Sequence, residues 1–175
     1  MVKKAILVPI ACLGAGVGAI GCYVPEALDE MEITFDPCEP LVIDVAPGAT
    51  DNQLASIEDG VQMWNEIAGT RITTSPVPNA ARVPLWFDEA ARVFYGVYLH
   101  EDGEIVINDA MTDRRTMAVT VAHEIGHAFG LWHVKKRPSV MNTGNTSLEP
   151  NLEDVEYLDQ LWGACPGWQA AIDSR

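Results

Sequence analysis

The chain has 175 residues, 48% of them hydrophobic, with a formal charge of −14 and a pI near 4.4. That supports one domain with its own core, not two. So acidic a chain is repelled by phosphate backbones and has no basic amphipathic helix for anionic lipid, which excludes nucleic-acid partners and leaves membrane attachment to some other device.

The first residues differ in kind. Lys3 and Lys4 precede the uncharged run "AILVPIACLGAGVGAIG" (5–21). A basic start, an apolar run and small residues at its end read as a secretory signal over 1–21. A retained membrane span is the alternative; the run is at the short limit for spanning, and its proline and glycines weaken it as a helix. Its end, "AIGC" (19–22), resembles the lipobox of bacterial lipoproteins, with Ala19 where that motif usually has leucine. The resemblance implies that Cys22 is lipidated and holds an exported protein at the bacterial cell envelope by that anchor only. An ordinary secreted protein cut nearby is the other reading. Cleavage before Cys22 would leave 9 basic against 25 acidic residues.

Residues 22–40, acidic and proline-flanked, read as a tether, and 41–175 as the domain. "LVIDV" (41–45) is a short buried strand. Thr50 and Gln53 have the spacing of a capping box. From there Leu54, Ile57, Val61, Trp64, Ile67 and Ala68 recur at helical spacing until Gly69 stops the run. Strands follow at 70–74, 82–87, 92–99 and 104–109. The Asp102-Gly103 pair between the last two predicts an antiparallel hairpin, with His100 as an exposed loop residue at its tip. A second helix starts near Thr112 or Asp113, with Asp113 in its first turn against the dipole, and runs to Phe129. A third runs from Asn151 to Trp162, with Asp154 at the capping-box position, Gly163 after it, and Val155, Leu158, Leu161 and Trp162 spaced for burial. Strand, helix, four strands, helix, loop and helix describe an α/β fold of one mixed sheet with helices against it.

"HEIGHAFGLWH" (123–133) holds three of the chain's four histidines. His123 and His127 lie one turn apart on one helix face, where two imidazoles can reach a single metal ion. Gly130 can take a positive φ, end the helix and bring His133 back as a third ligand. Three nitrogen ligands leave a fourth position for water, and Glu124, turned away from the ligand face, is placed as a general base rather than a ligand. The chemistry this suits is amide hydrolysis.

His123-Glu124-x-x-His127-x-x-Gly130-x-x-His133 matches the motif of the metzincin zinc proteases in full, and the chain resembles the compact, matrixin-type bacterial members. That resemblance implies a metzincin-type catalytic domain: a mostly parallel five-stranded sheet with an antiparallel edge strand, an active-site helix and a C-terminal helix. It implies one catalytic Zn2+, a protein or peptide substrate added to the edge strand "RVFYGVYL" (92–99), and an outer pocket wall from "NTGNTSLEP" (142–150). It makes Met141 of "SVMN" the methionine of the turn beneath the metal, an ordinary core methionine being the alternative. Gly126 within the helix matches a position where the clan often has glycine, to let the helix approach the sheet. The sequence departs from some relatives: no tyrosine ligand follows Met141, and only His100 is spare for a second zinc.

Cys12 falls in the signal and Cys22 at the lipid, which leaves Cys38 and Cys165 as a disulfide closing the domain near both ends, or Cys38 as a thiolate covering the zinc. The reading is a monomeric zinc endopeptidase. Its rivals are an inactive zinc-binding surface module and a structural envelope lipoprotein.

Overall fold

The computed structural model describes residues 31–89 and 94–165. The signal segment, Cys22 and the first two residues of the fourth expected strand lie outside the described residues. Five strands and three helices run in the order β1 (Leu41–Val45), α1 (Asp51–Ala68), β2 (Ile72–Thr73), β3 (Ala81–Asp88), β4 (Gly96–Leu99), β5 (Glu104–Asn108), α2 (Arg114–Ala128) and α3 (Leu152–Trp162). The sheet order is β2-β1-β3-β5-β4, parallel throughout except for β4, which pairs antiparallel with β5 at the edge. Among the described residues no helix is long and apolar enough to cross a membrane.

Local sequence explains the element ends. Both backbone–side-chain bonds of the Thr50/Gln53 capping box are made, and Gly69 closes α1 at φ 60°. Asp113 is the N-cap of α2 rather than a first-turn residue, its carboxylate accepting from the Thr116 N–H at 2.7 Å. The β4–β5 turn ends on Gly103 at φ 75°. Pro84 sits inside β3, where a missing N–H would usually break a ladder. It is tolerated because pairing with β5 begins only at Leu85.

The core lies between the sheet and the helix pair α1–α2. Ile43, Val83, Leu85, Ile105 and Ile107 point into it from the strands, all fully buried, and meet Ile57 and Trp64 of α1 and Met117, Val121 and Ile125 of α2. Trp64 is core, as expected, and its Nε1–H donates to the Ala122 carbonyl at 2.7 Å. Alternation holds in β3 and β5, while Leu41, Val42 and Ile43 are all buried at the start of β1.

Other expectations need correction. The strand expected at 70–74 is reduced to Ile72–Thr73, because Thr70 turns instead to bond the Asn65 side chain. Leu161 and Leu54, expected in the core, are exposed. The span read as a tether belongs to the domain in its last part. The Ile33 N–H donates to His100 O, the Phe35 N–H donates to Ala128 O, and the Phe35 ring is buried in the core. Finally, Gly126 faces α1 and the 139–142 turn, not the sheet. A Cβ there would lie 2.4 Å from Met141 Sδ and 3.3 Å from the Trp64 ring.

Gly126→Ala should therefore destabilise the domain by about 1–3 kcal/mol, the usual cost of overpacking. Helix propensity alone favours alanine by about 1 kcal/mol, so the sign of the change separates the two effects. A melting temperature at or above that of the wild type would mean that Met141 yields freely.

Candidate metal centre

Helix α2 carries the first two histidines of the site. His123 and His127 are buried on its face toward the cleft; Gly130, at φ 92°, ends the helix; and the chain returns to set His133 opposite them. The His123 and His133 Nε2 atoms are 3.1 Å apart, and those of His127 and His133 are 3.3 Å apart. Two ligands on one tetrahedral zinc, each about 2.0–2.1 Å from it, would be about 3.3–3.4 Å apart.

The outer nitrogens fix what the inner ones can do. His123 Nδ1 lies 2.6 Å from Val140 O, and His127 Nδ1 lies 2.7 Å from Leu131 O. A carbonyl only accepts, so each Nδ1 carries its proton, and in the neutral ring each Nε2 is a bare lone pair. Burial keeps the rings neutral. It lowers His123, and with the neighbouring His123 it pushes His127 down to about 3; burial and then Lys135 lower His133. Two buried lone pairs aimed at the third imidazole suit a cation at their centre, and the donor set of three nitrogens fits zinc.

Beneath the histidines lies the turn Ser139–Asn142. Met141 is buried there against Gly126. Asp154 anchors this turn. It is fully buried and accepts from Ser139 Oγ at 2.5 Å, from the Val140 N–H at 3.3 Å and from the Asn151 N–H at 3.1 Å, with Arg137 2.9 Å away. The carbonyl of the same residue, Val140, accepts from His123, so Asp154 supports a ligand at one remove.

Glu124 is 4% exposed yet borders the cleft. Burial pushes its carboxyl up to about 8, against the opposing effect of a hydrogen bond from the Tyr98 backbone. Its Oε1 lies 3.0 Å from where a Cβ on Gly96 would be, and Thr120 Cγ2 is 2.8 Å from the same point. Gly96 is thus the bare stretch of β4 that admits the carboxylate. Its signal in the sequence is a lone glycine inside "FYGVYL", a pattern that marks close approach to a strand.

The cleft, about 370 Å³, runs between β4 and the segment after Met141, with Gly96, Val97 and Tyr98 on one side and Thr143, Gly144 and Asn145 on the other. From the 142–150 segment, residues 143–145 thus line the cleft. His100 is half-buried rather than exposed. It lines the rim of the cleft but is not one of the clustered ligands, and its Nδ1 lies 3.5 Å from the Glu32 N–H. Cys38 is not over the histidines: it forms a disulfide with Cys165, Cα–Cα 5.1 Å, which rules out the thiolate cover.

Three histidines brought together by a helix and a glycine turn, beside a mixed sheet with one antiparallel edge strand, have the form of a metzincin. The matrixin family model matches residues 49–163, and the chain belongs to that family of zinc metalloproteases. The fold is also similar to the crystal structure of myroilysin, with a TM-score of 0.55 and 12% identity over 74% of this chain and 85% of that one.

Proposed function

We propose that the protein is a zinc-dependent endopeptidase in which Glu124 is the general base. The observation that carries this is the position of Glu124. It shares a helix with two of the three clustered histidines, and its carboxyl is buried at the cleft without being one of the clustered ligands. Such a group can take a proton and give it back within one turnover.

β4 is the edge strand of the sheet and borders the cleft, so an extended peptide can add to its backbone and be held across the histidines. His123, His127 and His133 would hold the zinc, which would supply Lewis acidity to polarise a carbonyl and acidify water. Glu124 accepts the proton of the attacking water and delivers it to the leaving amine. Tyr98, through its backbone N–H, and the surface of Gly96 hold the carboxylate toward the cleft meanwhile.

The test is turnover of a denatured protein by the purified chain. Cleavage should be lost with a chelator and restored by zinc, with one ion per chain by elemental analysis and a monomer by sedimentation. Zinc binding without turnover would instead make the domain an inactive binding module.

The same proposal places the enzyme outside the cytoplasm on a lipid at Cys22, on the strength of the "AIGC" pattern. Wild-type protein should partition with membranes and Cys22→Ala should not. Mass spectrometry showing Cys22 unmodified would end that part.

A further inference from the structure

The end of α2 is held from outside by the two chain segments that the disulfide joins. A helix leaves its last carbonyls without partners inside the helix, and a buried end must find them elsewhere. Two of those carbonyls are answered from far away in sequence. Ala128 O accepts from the Phe35 N–H at 2.8 Å, and Phe129 O accepts from Trp162 Nε1–H at 2.8 Å. Phe35 stands three residues before Cys38, and Trp162 three residues before Cys165.

The same two segments close over Gly130. A Cβ built there would find Thr34 Cγ2 at 3.4 Å and Leu161 Cδ1 at 3.8 Å. The sequence separation bridged by Cys38–Cys165 is 127 residues, and both half-cystines pack against the core, Cys165 at 6% exposure. The two donors are therefore delivered to one helix end by elements from opposite ends of the domain, and the cross-link keeps them side by side.

What this helix end controls is the metal centre. Gly130 N–H donates to His127 O and Leu131 N–H donates to Gly126 O, which shapes the turn. Leu131 O then orients the His127 ring, and His133 follows two residues later.

We propose that the Cys38–Cys165 disulfide, acting through Phe35 and Trp162, is a clamp that positions His127 and His133, so that metal retention depends on the redox state of this pair. Reduction by a dithiol leaves two cysteine thiols and the reagent as its cyclic disulfide. The segments 33–38 and 162–165 then separate independently, and the α2 end loses both outside donors. Trp162 is here a positioning residue: it reaches the metal centre only through the helix.

The inference rests on the metal reading of the three histidines, so its test has an arm that needs no metal. With the zinc-loaded full chain, release of zinc to a chromophoric chelator should be about 10–100-fold faster after dithiol treatment, in Cys38→Ser/Cys165→Ser, and in Trp162→Phe, which keeps an aromatic ring but lacks the N–H. In the metal-free chain, the Gly130 and Leu131 amides should exchange with solvent faster in the same proteins, while Ile43 and Ile105 in the sheet keep their wild-type rates. Unchanged zinc release in both variants would overturn the clamp. So would exchange that quickens equally across the sheet, because the disulfide would then be stabilising the fold as a whole. A wild-type chain that binds no zinc would defeat the functional reading, and the exchange pattern would decide the clamp by itself.

Discussion

Glu124→Gln is expected to lower peptide hydrolysis by at least about 10²-fold while zinc stays at one ion per chain, because general acid–base groups contribute about 10²–10⁴-fold. Glutamine is the sharper replacement. Its amide oxygen can still accept from the Tyr98 backbone and fills the space beside Gly96, whereas alanine would leave that N–H without an acceptor. Stability moves the opposite way to activity. Burial raises the Glu124 carboxyl above its unfolded value, so in the metal-free protein ionisation opposes folding from the ordinary carboxylate range up to about 8. Metal-free Glu124→Gln should then melt higher than metal-free wild type at pH 7, and the difference should fade as pH falls toward about 4. Hydrolysis at the wild-type rate would remove Glu124 from the chemistry. Loss of zinc along with activity would make it part of the metal site instead.

The parts of this centre that were legible in the sequence are those set by local rules. A period of 3.6 residues put His123 and His127 on one face, and glycine's freedom at positive φ predicted the break at Gly130, which the structure places at φ 92°. Capping boxes at Thr50/Gln53 and Asn151/Asp154 located two helix starts to the residue. The Asp102-Gly103 turn located the antiparallel edge. What escaped was set by contacts distant in sequence. Phe35 lies in a stretch with no period of its own, and its burial depends on α2 being there to receive it. Periodicity put Leu161 on an apolar stripe, but of that stripe only Val155, Leu158 and Trp162 pack against the core, and Leu161 stays exposed. Asp154 could be read as a cap, since its partner in that role is three residues away. Its hold on Ser139 and Val140, fifteen and fourteen residues back, follows only once α3 is docked. Gly126 was visible as a glycine in a helix, but which neighbour needs the space is a fact of packing.

His133→Ala should weaken zinc binding by more than about 100-fold, beyond the 10–100-fold typical of losing an outer partner of a ligand, because the two helix histidines alone make a poor site. The fold should survive, since His133 is not part of the buried core, only its inner nitrogen being desolvated against the other two rings, and its neighbours are held by the Val134 N–H donating to Met141 O. Gly130→Val should have a comparable effect without removing any ligand. Valine resists φ near 92°, so the turn must be rebuilt. Rebuilding it moves two ligands at once: His133, which the turn aims, and His127, whose ring Leu131 O holds in orientation. Circular dichroism would establish that both variants are folded, and competition with a chelator of known affinity would give the zinc constants. If Gly130→Val kept full zinc affinity while His133→Ala lost it, the ligand would be right and the turn wrong: His133 would reach the metal by a path that does not need the left-handed residue. If both kept zinc, His133 would not be a ligand, and the close approach of its Nε2 to the other two rings would be packing without coordination.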